Sequence, residues 1–516
     1  TSIDLDDCSE NWRVSISEVL GVTDMTLISR NGVALFQDSE GNQGVLIGTP
    51  SVAGDSQFCY ILALKQEDGS LLFSIEEEAT GSPYCSTDGF VVNGKYAYGG
   101  LIAPNTCNYG GECTYRGQFI QINLDEQSIA NRWYSLPEDD GYIGAAPYNY
   151  PSIIGEYLVV GTGYLFENPD DVNTCLLDEN EEIFGANATN PCGVDMSSKP
   201  AWRCYESGIN VDSVNVLNKK NLEHIKSKPL QGNDVSSDSC NLWTSVDTDI
   251  CGDAFLGPGA SVIAQASFSK SGTSYNAVLT KAGMFYVFEL PSLNVVRAKK
   301  VGPAGENGGG LYSLAIDDEN YIAIVSITGL GTNYKKTLID GTSICGTGFV
   351  EAISLDNGET LWQLVNPYGV IGDDCDDSSL YTAEDWSIQR GGSACRVGVP
   401  SLTDVITAII PDISGKREPL DAQERANFIA PVTISNDVVF IPSNTGDVWV
   451  VDITDGSVVS QLSCPNQFDS TLGVYNRPGI AAGVTVVNDR AIVYCGAGNY
   501  GLSSTAGRTV LSYKLG

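Results

Sequence analysis

The sequence predicts an all-β protein, and two observations support that prediction. No long segment shows the 3.6-residue apolar period of a helix, and exceptions such as 420–428 are short. The remainder consists of short β-branched and aromatic runs separated by Gly, Asn and Asp turns, which is typical of sheets built from short strands. Hydrophobic residues make up 42% of the 516 residues and charged residues 18%, so the chain has enough apolar material for large cores and is not disordered.

The strand-like runs recur in a fixed order along the chain. Each unit has two apolar strands, then a third strand, a tight turn and a fourth strand. The third strand, turn and fourth strand are visible six times, at 61–75, 119–136, 212–225, 284–300, 349–364 and 448–462. The first two strands of a unit are visible at 430–446 and 483–498. Four-stranded units that repeat in this way predict a β-propeller.

The repeats predict that residues 1–516 form one domain, a single β-propeller of seven or eight four-stranded blades. The last copy lacks a fourth strand. We expect the N-terminal strand near 11–16 to supply it beside the C-terminal strands at 483–515, because closing the ring removes two exposed sheet edges. Long loop insertions widen the spacing of the repeats, at about 162–210, 228–258 and 365–425.

The charge balance limits the partners. Asp plus Glu total 64 against 28 Lys plus Arg, a net charge of −36. A surface this acidic repels phosphate backbones and anionic lipids, so we expect no nucleic-acid partner. No apolar run is long enough to predict a membrane span. An extracellular protein, a glycan and further copies of the chain remain as candidate partners.

Cysteine usage indicates the compartment. The 15 cysteines are scattered through polar segments and not grouped in Cys-X-X-Cys pairs, which favours disulfides over metal or haem ligation. Because disulfides persist in oxidising compartments, we expect a secreted protein with disulfide-tied loops, and a first residue other than Met agrees with signal-peptide removal. Asn187, in the sequon Asn-Ala-Thr, is a candidate glycosylation site. Short separations suggest the disulfide pairs Cys107 with Cys113, Cys240 with Cys251, and Cys375 with Cys395.

The chain contains one histidine, His224. Three-histidine zinc sites, paired-histidine copper sites and Ser-His-Asp triads would all depend on that imidazole, so most metal and triad enzymes are excluded. His224 lies in an outer-strand pattern with polar neighbours, and we expect an ordinary surface or edge residue.

One repeat carries a more specific pattern. It reads Ser-Leu-Asp-Asn-Gly-Glu-Thr-Leu-Trp at 354–362, and Trp133 is assigned to the same place in an earlier repeat, with Phe73 and Arg297 as substitutes elsewhere. The pattern resembles the tryptophan-docking repeat of pyrroloquinoline-quinone (PQQ) propellers, the quinoprotein alcohol dehydrogenase-like family. The resemblance implies that Trp133 and Trp362 pack between adjacent blades.

A second group of motifs is similar to the polyvinyl-alcohol-dehydrogenase-like branch of that family. These motifs are a lysine-glycine turn followed by a YVFEL strand, two glycine-containing segments and two cysteine-containing segments. They occupy residues 277–290, 301–305, 308–310, 240–253 and 495–499.

The resemblance implies a redox site that this chain does not fully match. In catalytic members PQQ lies on the propeller axis between a tryptophan and a vicinal disulfide, a calcium ion polarises a quinone carbonyl, and an aspartate takes the alcohol proton. The resemblance assigns Lys281 and Trp243 as PQQ contacts and Asp253 as a displaced base. However, no two cysteines are adjacent, the segment 255–261 lacks the family's carboxylate, and no haem-binding segment is present.

Acidic clusters are the candidate metal ligands. Calcium prefers several converging carboxylate and carbonyl oxygens, which such clusters offer, although no EF-hand loop accompanies them and a solvated acidic face is the alternative interpretation. The candidate calcium ligands are Asp373, Asp374, Asp376, Asp377, Asp247 and Asp249.

These observations favour a secreted PQQ-like propeller that acts as a binding or scaffold protein, requires no cofactor and lacks redox catalysis. The second hypothesis is an enzyme, a PQQ- and calcium-dependent alcohol dehydrogenase that uses Lys281, Trp243 and Asp253. The third is a structural subunit of an extracellular assembly.

Overall fold

The protein is described here from a computed structural model. The described residues are 2–4, 9–21, 32–49, 58–78, 84–85, 89–102, 116–138, 141–147, 149–163, 165–167, 169, 171–172, 174, 209–211, 213–230, 262–280, 283–302, 308–329, 334–345, 347–367, 370–371, 381–382, 427–428, 430–465, 467–469, 474–476, 479–480, 482–495 and 509–515.

Short strands make up nearly all of the regular structure. In the N-terminal third these are β1 (Ser2–Ile3), β2 (Glu10–Trp12), helix α1 (Ile16–Leu20), β3 (Ala34–Gln37), β4 (Gln43–Gly48), β5 (Phe58–Lys65), β6 (Leu71–Glu78), β7 (Tyr84–Cys85), β8 (Val91–Asn93), β9 (Tyr96–Ile102), β10 (Gln118–Asn123), β11 (Ser128–Tyr134), β12 (Ile143–Gly144), β13 (Ser152–Ile154), β14 (Tyr157–Gly161) and β15 (Leu165–Glu167). The middle of the chain forms β16 (Ser213–Asn218), β17 (His224–Pro229), β18 (Val262–Lys270), β19 (Thr273–Thr280), β20 (Met284–Glu289), β21 (Asn294–Lys300), β22 (Gly308–Asp317), β23 (Ile322–Gly329), β24 (Tyr334–Thr337), β25 (Ser343–Cys345), β26 (Phe349–Ser354) and β27 (Thr360–Val365). The remainder forms β28 (Val370–Ile371), β29 (Tyr381–Thr382), β30 (Thr433–Ser435), β31 (Val438–Pro442), β32 (Asp447–Asp452), β33 (Val458–Ser463), β34 (Gln467–Asp469), β35 (Val474–Asn476), β36 (Thr485–Val487), β37 (Arg490–Cys495) and β38 (Thr509–Lys514).

The described strands form eleven sheets, and seven antiparallel ones follow in chain order as the blades of a propeller. The other four, β1–β2, β12–β15, β34–β35 and the mixed sheet β28–β25–β24–β29, are smaller or lie in connections. Blades 1 to 6 are β3–β6, β8–β11 with β7 added, β13–β14–β16–β17, β18–β21, β22–β23–β26–β27 and β30–β33, and blade 7 has the described strands β36–β38. The predicted all-β propeller is confirmed, with seven blades. All six strand–turn–strand units expected from the sequence are the third and fourth strands of blades 1 to 6.

The turn between the third and fourth strands has the same geometry in six blades. One residue of each turn has positive φ, between 54° and 80°, and the fourth strand carries a β-bulge three residues later. The positive-φ residues are Gly69, Gln127, Leu222, Leu293, Gly358 and Gly456. The repeat therefore encodes a backbone conformation that glycine adopts without steric cost. Three blades have a residue other than glycine at this position.

Trp362 directly follows the bulged residue in β27, and it shows how a side chain at this place of the fourth strand can pack between blades. Trp362 lies against the turn of blade 6, where its indole N–H donates to the Ile453 carbonyl at 2.8 Å. A Cβ added to Gly456 would lie 2.6 Å from the indole ring, so a glycine is required there for close approach. Trp362 is therefore a blade-packing residue, as the resemblance implies.

The assignment of Trp133 to the same place is wrong. Asn131 occupies that place in blade 2, because it directly follows the bulged residue of the fourth strand and pairs with Gln121. Trp362 follows the bulged residue of blade 5 in the same way and pairs with Ala352. Trp133 lies two residues further along and pairs with Phe119. Side chains alternate along a strand, so Trp133 faces the same way and is still buried between blades 2 and 3. The substitutions by Phe73 and Arg297 are confirmed by their pairing.

The apolar core is divided among the spaces between blades. Six described clusters of buried residues fill the six successive interfaces from blade 1 to blade 7. The core between blades 4 and 5, for example, joins Phe285 to Ile327 and Phe349, all at most 1% exposed. Apolar packing against the adjacent blades therefore stabilises each blade.

The N-terminal strand β2 pairs with β1, and within the described residues β38 pairs with β37 alone. Trp12 of β2 nevertheless makes the docking contact of Trp362. Its indole N–H donates to the Gln66 carbonyl at 2.9 Å, and a Cβ added to Gly69 would lie 2.6 Å from its ring. Trp12 thus occupies the position that the fourth strand of a preceding blade would give it. Ring closure by residues near 11–16 remains a prediction that this contact supports.

A disulfide between Cys464 and Cys495 joins the ends of β33 and β37 across blades 6 and 7, and Cys59 is also disulfide-bonded. We expect the double substitution Cys464→Ala and Cys495→Ala to lower the free energy of unfolding by about 3–4 kcal/mol, because the bond closes a loop of 31 residues in the unfolded chain. Urea unfolding measures this, with the reduced wild type as control. An unchanged urea midpoint would contradict the expectation.

Candidate functional site

The topology divides the propeller into two unlike ends. In an antiparallel four-stranded blade, the first and third turns lie at one end, and the second connection and the link to the next blade lie at the other. At the first end, the turn end, every described turn has five residues or fewer. At the second end, the insertion end, the longest connections are 135–151, 162–212, 230–261, 330–348, 366–432 and 464–484, and 103–117 is also long.

Every site residue predicted from the sequence belongs to a connection of the insertion end. All of them lie outside the described residues, so their positions stay predictions. They are Asp253, Trp243, Lys281, the calcium candidates Asp247, Asp249, Asp373, Asp374, Asp376 and Asp377, the glycosylation candidate Asn187, and the cysteines 107, 113, 240, 251, 375 and 395. Only the strand ends that flank them can be placed, and all of these ends lie at the insertion end.

A rim of buried hydroxyl and amide groups lines the strand ends there. Thr162, at the end of the second strand of blade 3, donates to the Asn210 carbonyl at 2.6 Å and lies 3.0 Å from the Ser213 hydroxyl. In blade 6, Ser443 holds the equivalent position and accepts a hydrogen bond from the Asn366 side chain of blade 5 at 2.8 Å. These groups fix the starts of the insertions and offer hydrogen-bonding chemistry. In blade 6 they include the buried carboxylate of Asp447, which accepts a hydrogen bond from the Ser463 hydroxyl at 2.6 Å.

A second polar group lies on the innermost strands of blades 3 and 4. Ser152 donates to the Ser267 hydroxyl at 2.5 Å, and the Asn276 amide donates to the same oxygen at 3.1 Å. Gln265 donates to the carbonyls of Tyr150 and Val159, each at 3.0 Å. These bonds hold the two blades together beside the propeller axis.

The lysine-glycine turn and the glycine segments have a packing explanation. The Gly283 N–H donates to the Thr280 carbonyl at 2.9 Å, which closes the short connection between β19 and β20 that carries position 281. A Cβ added to Gly302 would lie 2.4 Å from Ile327, and one added to Gly310 would lie 2.3 Å from Leu279. These glycines are required for close packing of blades 4 and 5, whether or not a ligand binds nearby.

His224 begins the outer strand of blade 3 and is exposed, as expected of an edge residue. Its ring stacks on Trp133 with centroids 6.1 Å apart and an angle of 11°, and its Nε2 lies 2.6 Å from the Ser227 hydroxyl. Partial burial lowers the pKa of His224. Ser227 in turn donates to the Asn215 side-chain oxygen at 2.7 Å, so the imidazole joins a structural polar network of blade 3.

A buried ion network at blades 4 and 5 was not predicted from the sequence. Glu351 is 0% exposed and lies 2.8 Å from Lys299 and 3.4 Å from Lys336, and it accepts hydrogen bonds from Thr360 at 2.7 Å and Gln363 at 2.9 Å. Burial alone would raise the pKa of Glu351, but Lys336 and Lys299, with the hydrogen bonds from Lys299 and Thr360, lower it below its usual value. A glutamate in the middle of a buried strand was the available signal.

Within the described part of the chain, no three acidic, cysteine or histidine side chains converge as a metal site. No helix there is long and apolar enough to cross a membrane.

The folded chain is a seven-bladed β-propeller with one elaborated end. Among solved structures it is similar to the quinohemoprotein alcohol dehydrogenase ADHIIG of Pseudomonas putida HK5, with a TM-score of 0.50 and 11% identity over 92% of this chain and 65% of that one. It is equally similar to the quinohemoprotein alcohol dehydrogenase of Comamonas testosteroni, with a TM-score of 0.50 and 14% identity over 93% of this chain and 66% of that one. For BamB from Moraxella catarrhalis the TM-score is 0.39 at 11% identity, over 94% of this chain and 83% of that one.

The fold is therefore a β-propeller similar to those of the two quinohemoprotein alcohol dehydrogenases. The chain spans slightly less than two thirds of the length of the two enzymes. No protein-family model matches the sequence, and no curated protein is significantly similar to it.

Proposed function

We propose that this protein is a secreted binding propeller whose insertion end holds the partner and which performs no redox turnover. One observation carries the proposal: between the described strands of the seven blades, the long connections lie at one end, and the turns at the other end have five residues or fewer. Loops presented on a rigid scaffold are the usual location of binding residues. An extracellular protein or glycan fits the expected compartment.

The composition of the candidate redox site supports the absence of turnover. The segment 255–261 contains no carboxylate, and the chain has no adjacent cysteines. PQQ would supply hydride acceptance if bound, with Lys281 and Trp243 as its contacts, but the carboxylate offered as the base for alcohol oxidation, Asp253, lies outside the segment 255–261 in which the family carries it. The calcium-dependent dehydrogenase is the second candidate, favoured by the fold it shares with such enzymes.

Two measurements test the proposal. PQQ with calcium is added to the purified protein, and bound-quinone absorbance and dye reduction with primary and secondary alcohols are recorded; we expect neither signal. Stoichiometric binding with turnover would establish the dehydrogenase instead.

Hydroxyl-radical footprinting tests the binding face, by comparing the protein in its native extracellular fraction with the purified chain. Tyr150, which is 44% exposed in an insertion-end connection, should become protected, and Tyr96 beside a short turn of blade 2 should not. Equal reactivity of Tyr150 in both preparations would refute the assignment of this end.

A further inference from the structure

The outer face of blade 3 carries positive charge in a strongly acidic chain. Residues 213–229 include four lysines and one acidic residue, Glu223, although the whole chain has more than twice as many acidic as basic residues. The lysines lie in the turn between β16 and β17 and along β17, and we call them the blade 3 lysine strip. They are Lys219, Lys220, Lys226 and Lys228.

Among the described residues, these lysines take no part in the ion pairs that join blades. Elsewhere basic residues join blades, as Lys270 does with Asp356, Arg132 with Glu77, and Lys299 with Glu351. Within the described part of the chain no lysine of the strip pairs with a carboxylate, and the nearby Glu223 instead accepts from the Asn221 amide at 3.4 Å. Although the chain has 64 acidic residues, the described residues place no carboxylate in an ion pair with these four lysines.

Lys226 occupies the place where a docking residue is expected. Lys226 directly follows the bulged residue of β17 and pairs with Val216, as Trp362 pairs with Ala352 in blade 5. Lys226 is nevertheless exposed. In blade 4 the residue at this place, Arg297, still packs its Cδ 3.6 Å from the Cβ position of Gly358. Packing between blades therefore does not explain why a lysine stands at position 226, and a role at the surface explains it.

The lysines of the strip are arranged along a line, so an extended ligand could contact them one after another. Lys226 and Lys228 are two residues apart on one face of β17, which separates them by roughly 7 Å. Lys220 is exposed in the turn at one end of that strand, and exposed His224 lies between Lys220 and Lys226. A linear molecule with regularly spaced negative charges matches this arrangement.

We propose that the blade 3 lysine strip binds a linear anionic polysaccharide. The net charge of −36 opposes a broad anionic surface, including a membrane or a second copy, because each would bring many negative charges near the acidic remainder. A single slender chain contacts the strip alone, since screening reduces repulsion beyond about 8 Å at physiological ionic strength. An acidic peptide strand is disfavoured, because lysines on an edge strand and Pro229 at its end oppose strand addition.

Affinity measurements with heparin as the probe test this inference. Wild-type protein should bind at low salt and release as sodium chloride rises. The variant Lys220→Gln, Lys226→Gln, Lys228→Gln should bind at least about tenfold more weakly, because the local positive charge is lost. The matched control is Lys65→Gln, Lys95→Gln, Lys514→Gln, which changes net charge equally at exposed lysines outside the strip and should retain wild-type affinity within about twofold.

Further probes separate the sources of negative charge. Sulfated heparin and carboxylated hyaluronan distinguish the two anionic groups, and binding of either supports the proposal. Tighter binding of polyglutamate, or of phosphatidylserine vesicles, would overturn it in favour of a peptide or a membrane. Failure to bind any polysaccharide, or equal loss of affinity in both triple variants, would also overturn it.

Discussion

Trp12→Ala should lower the free energy of unfolding of the whole propeller by about 2–3 kcal/mol, although Trp12 lies only twelve residues from the N terminus of the chain. The substitution removes an indole that covers the turn at Gly69 and leaves the Gln66 carbonyl without that hydrogen bond. If the N-terminal strand completes the ring, this loss is felt by all blades, because each is stabilised by its neighbours. Thermal and urea unfolding, followed by near- and far-ultraviolet circular dichroism, measure the change.

Trp362→Ala provides the comparison within the same fold. Trp362 makes the same contact in a fully described blade and is 5% exposed, so we expect a loss of about 3–5 kcal/mol. Arg13→Ala is the matched control for the N-terminal segment, because the Arg13 side chain is 70% exposed and forms an ion pair with nearby Glu10. It should change stability by less than about 0.5 kcal/mol.

Hydrogen exchange distinguishes ring closure from local attachment. In the Trp12→Ala variant, exchange should quicken in blade 1 and in the described strands of blade 7, because both border the closure. Faster exchange confined to residues 2–21, with an unchanged global unfolding midpoint, would show that the segment is only attached to blade 1.

The sequence was sufficient for the repeating part of the fold and insufficient where function depends on the connections. The unit at 349–364 was recognisable because alternating apolar residues flank an Asp-Asn-Gly turn, and both features follow from local backbone geometry. Trp133 was misplaced because its repeat has Gln127 at the positive-φ position, so the turn lacks a glycine that would fix the alignment.

Interactions between blades could not be predicted for a different reason. Cys464 and Cys495 are 31 residues apart, and their pairing depends on how blades 6 and 7 meet. Glu351 likewise recruits Lys299 from another blade and Lys336 from an insertion. Such contacts depend on tertiary structure that no local pattern contains. The candidate redox residues could be assigned only through family resemblance, since their spacing alone does not specify a quinone site.

Glu351→Gln should lower the free energy of unfolding by about 3–5 kcal/mol at neutral pH, because it leaves two lysines in a mostly buried site without their counter-charge. The side chains of Lys299 and Lys336 are 24% and 11% exposed, so water only partly replaces the lost carboxylate. Glu359→Gln, at an exposed position of the adjacent turn, is the matched control and should have an effect below about 0.5 kcal/mol.

The pH dependence identifies charge pairing as the cause. The pKa of Glu351 is lower in the folded protein than its ordinary value of 4.5, so its contribution to stability is complete above that value and is lost as the pH falls through the folded-state pKa. Wild-type stability should therefore decrease more steeply below about pH 4.5 than that of Glu351→Gln. Urea midpoints of both proteins, recorded between neutral and acidic pH, measure this difference in stability. The other carboxylates are the same in both proteins, so their contributions to the pH dependence cancel when one profile is subtracted from the other.

Replacement of the whole network separates pairing from packing. The triple variant Glu351→Leu, Lys299→Met, Lys336→Met removes all three charges. It should recover most of the stability lost in Glu351→Gln, because well-packed apolar side chains commonly contribute as much to stability as the buried ion pair that they replace. If Glu351→Gln and the triple variant were equally destabilised at neutral pH, the shape of the site would matter more than its charges. A pH profile of Glu351→Gln parallel to that of the wild type would lead to the same conclusion.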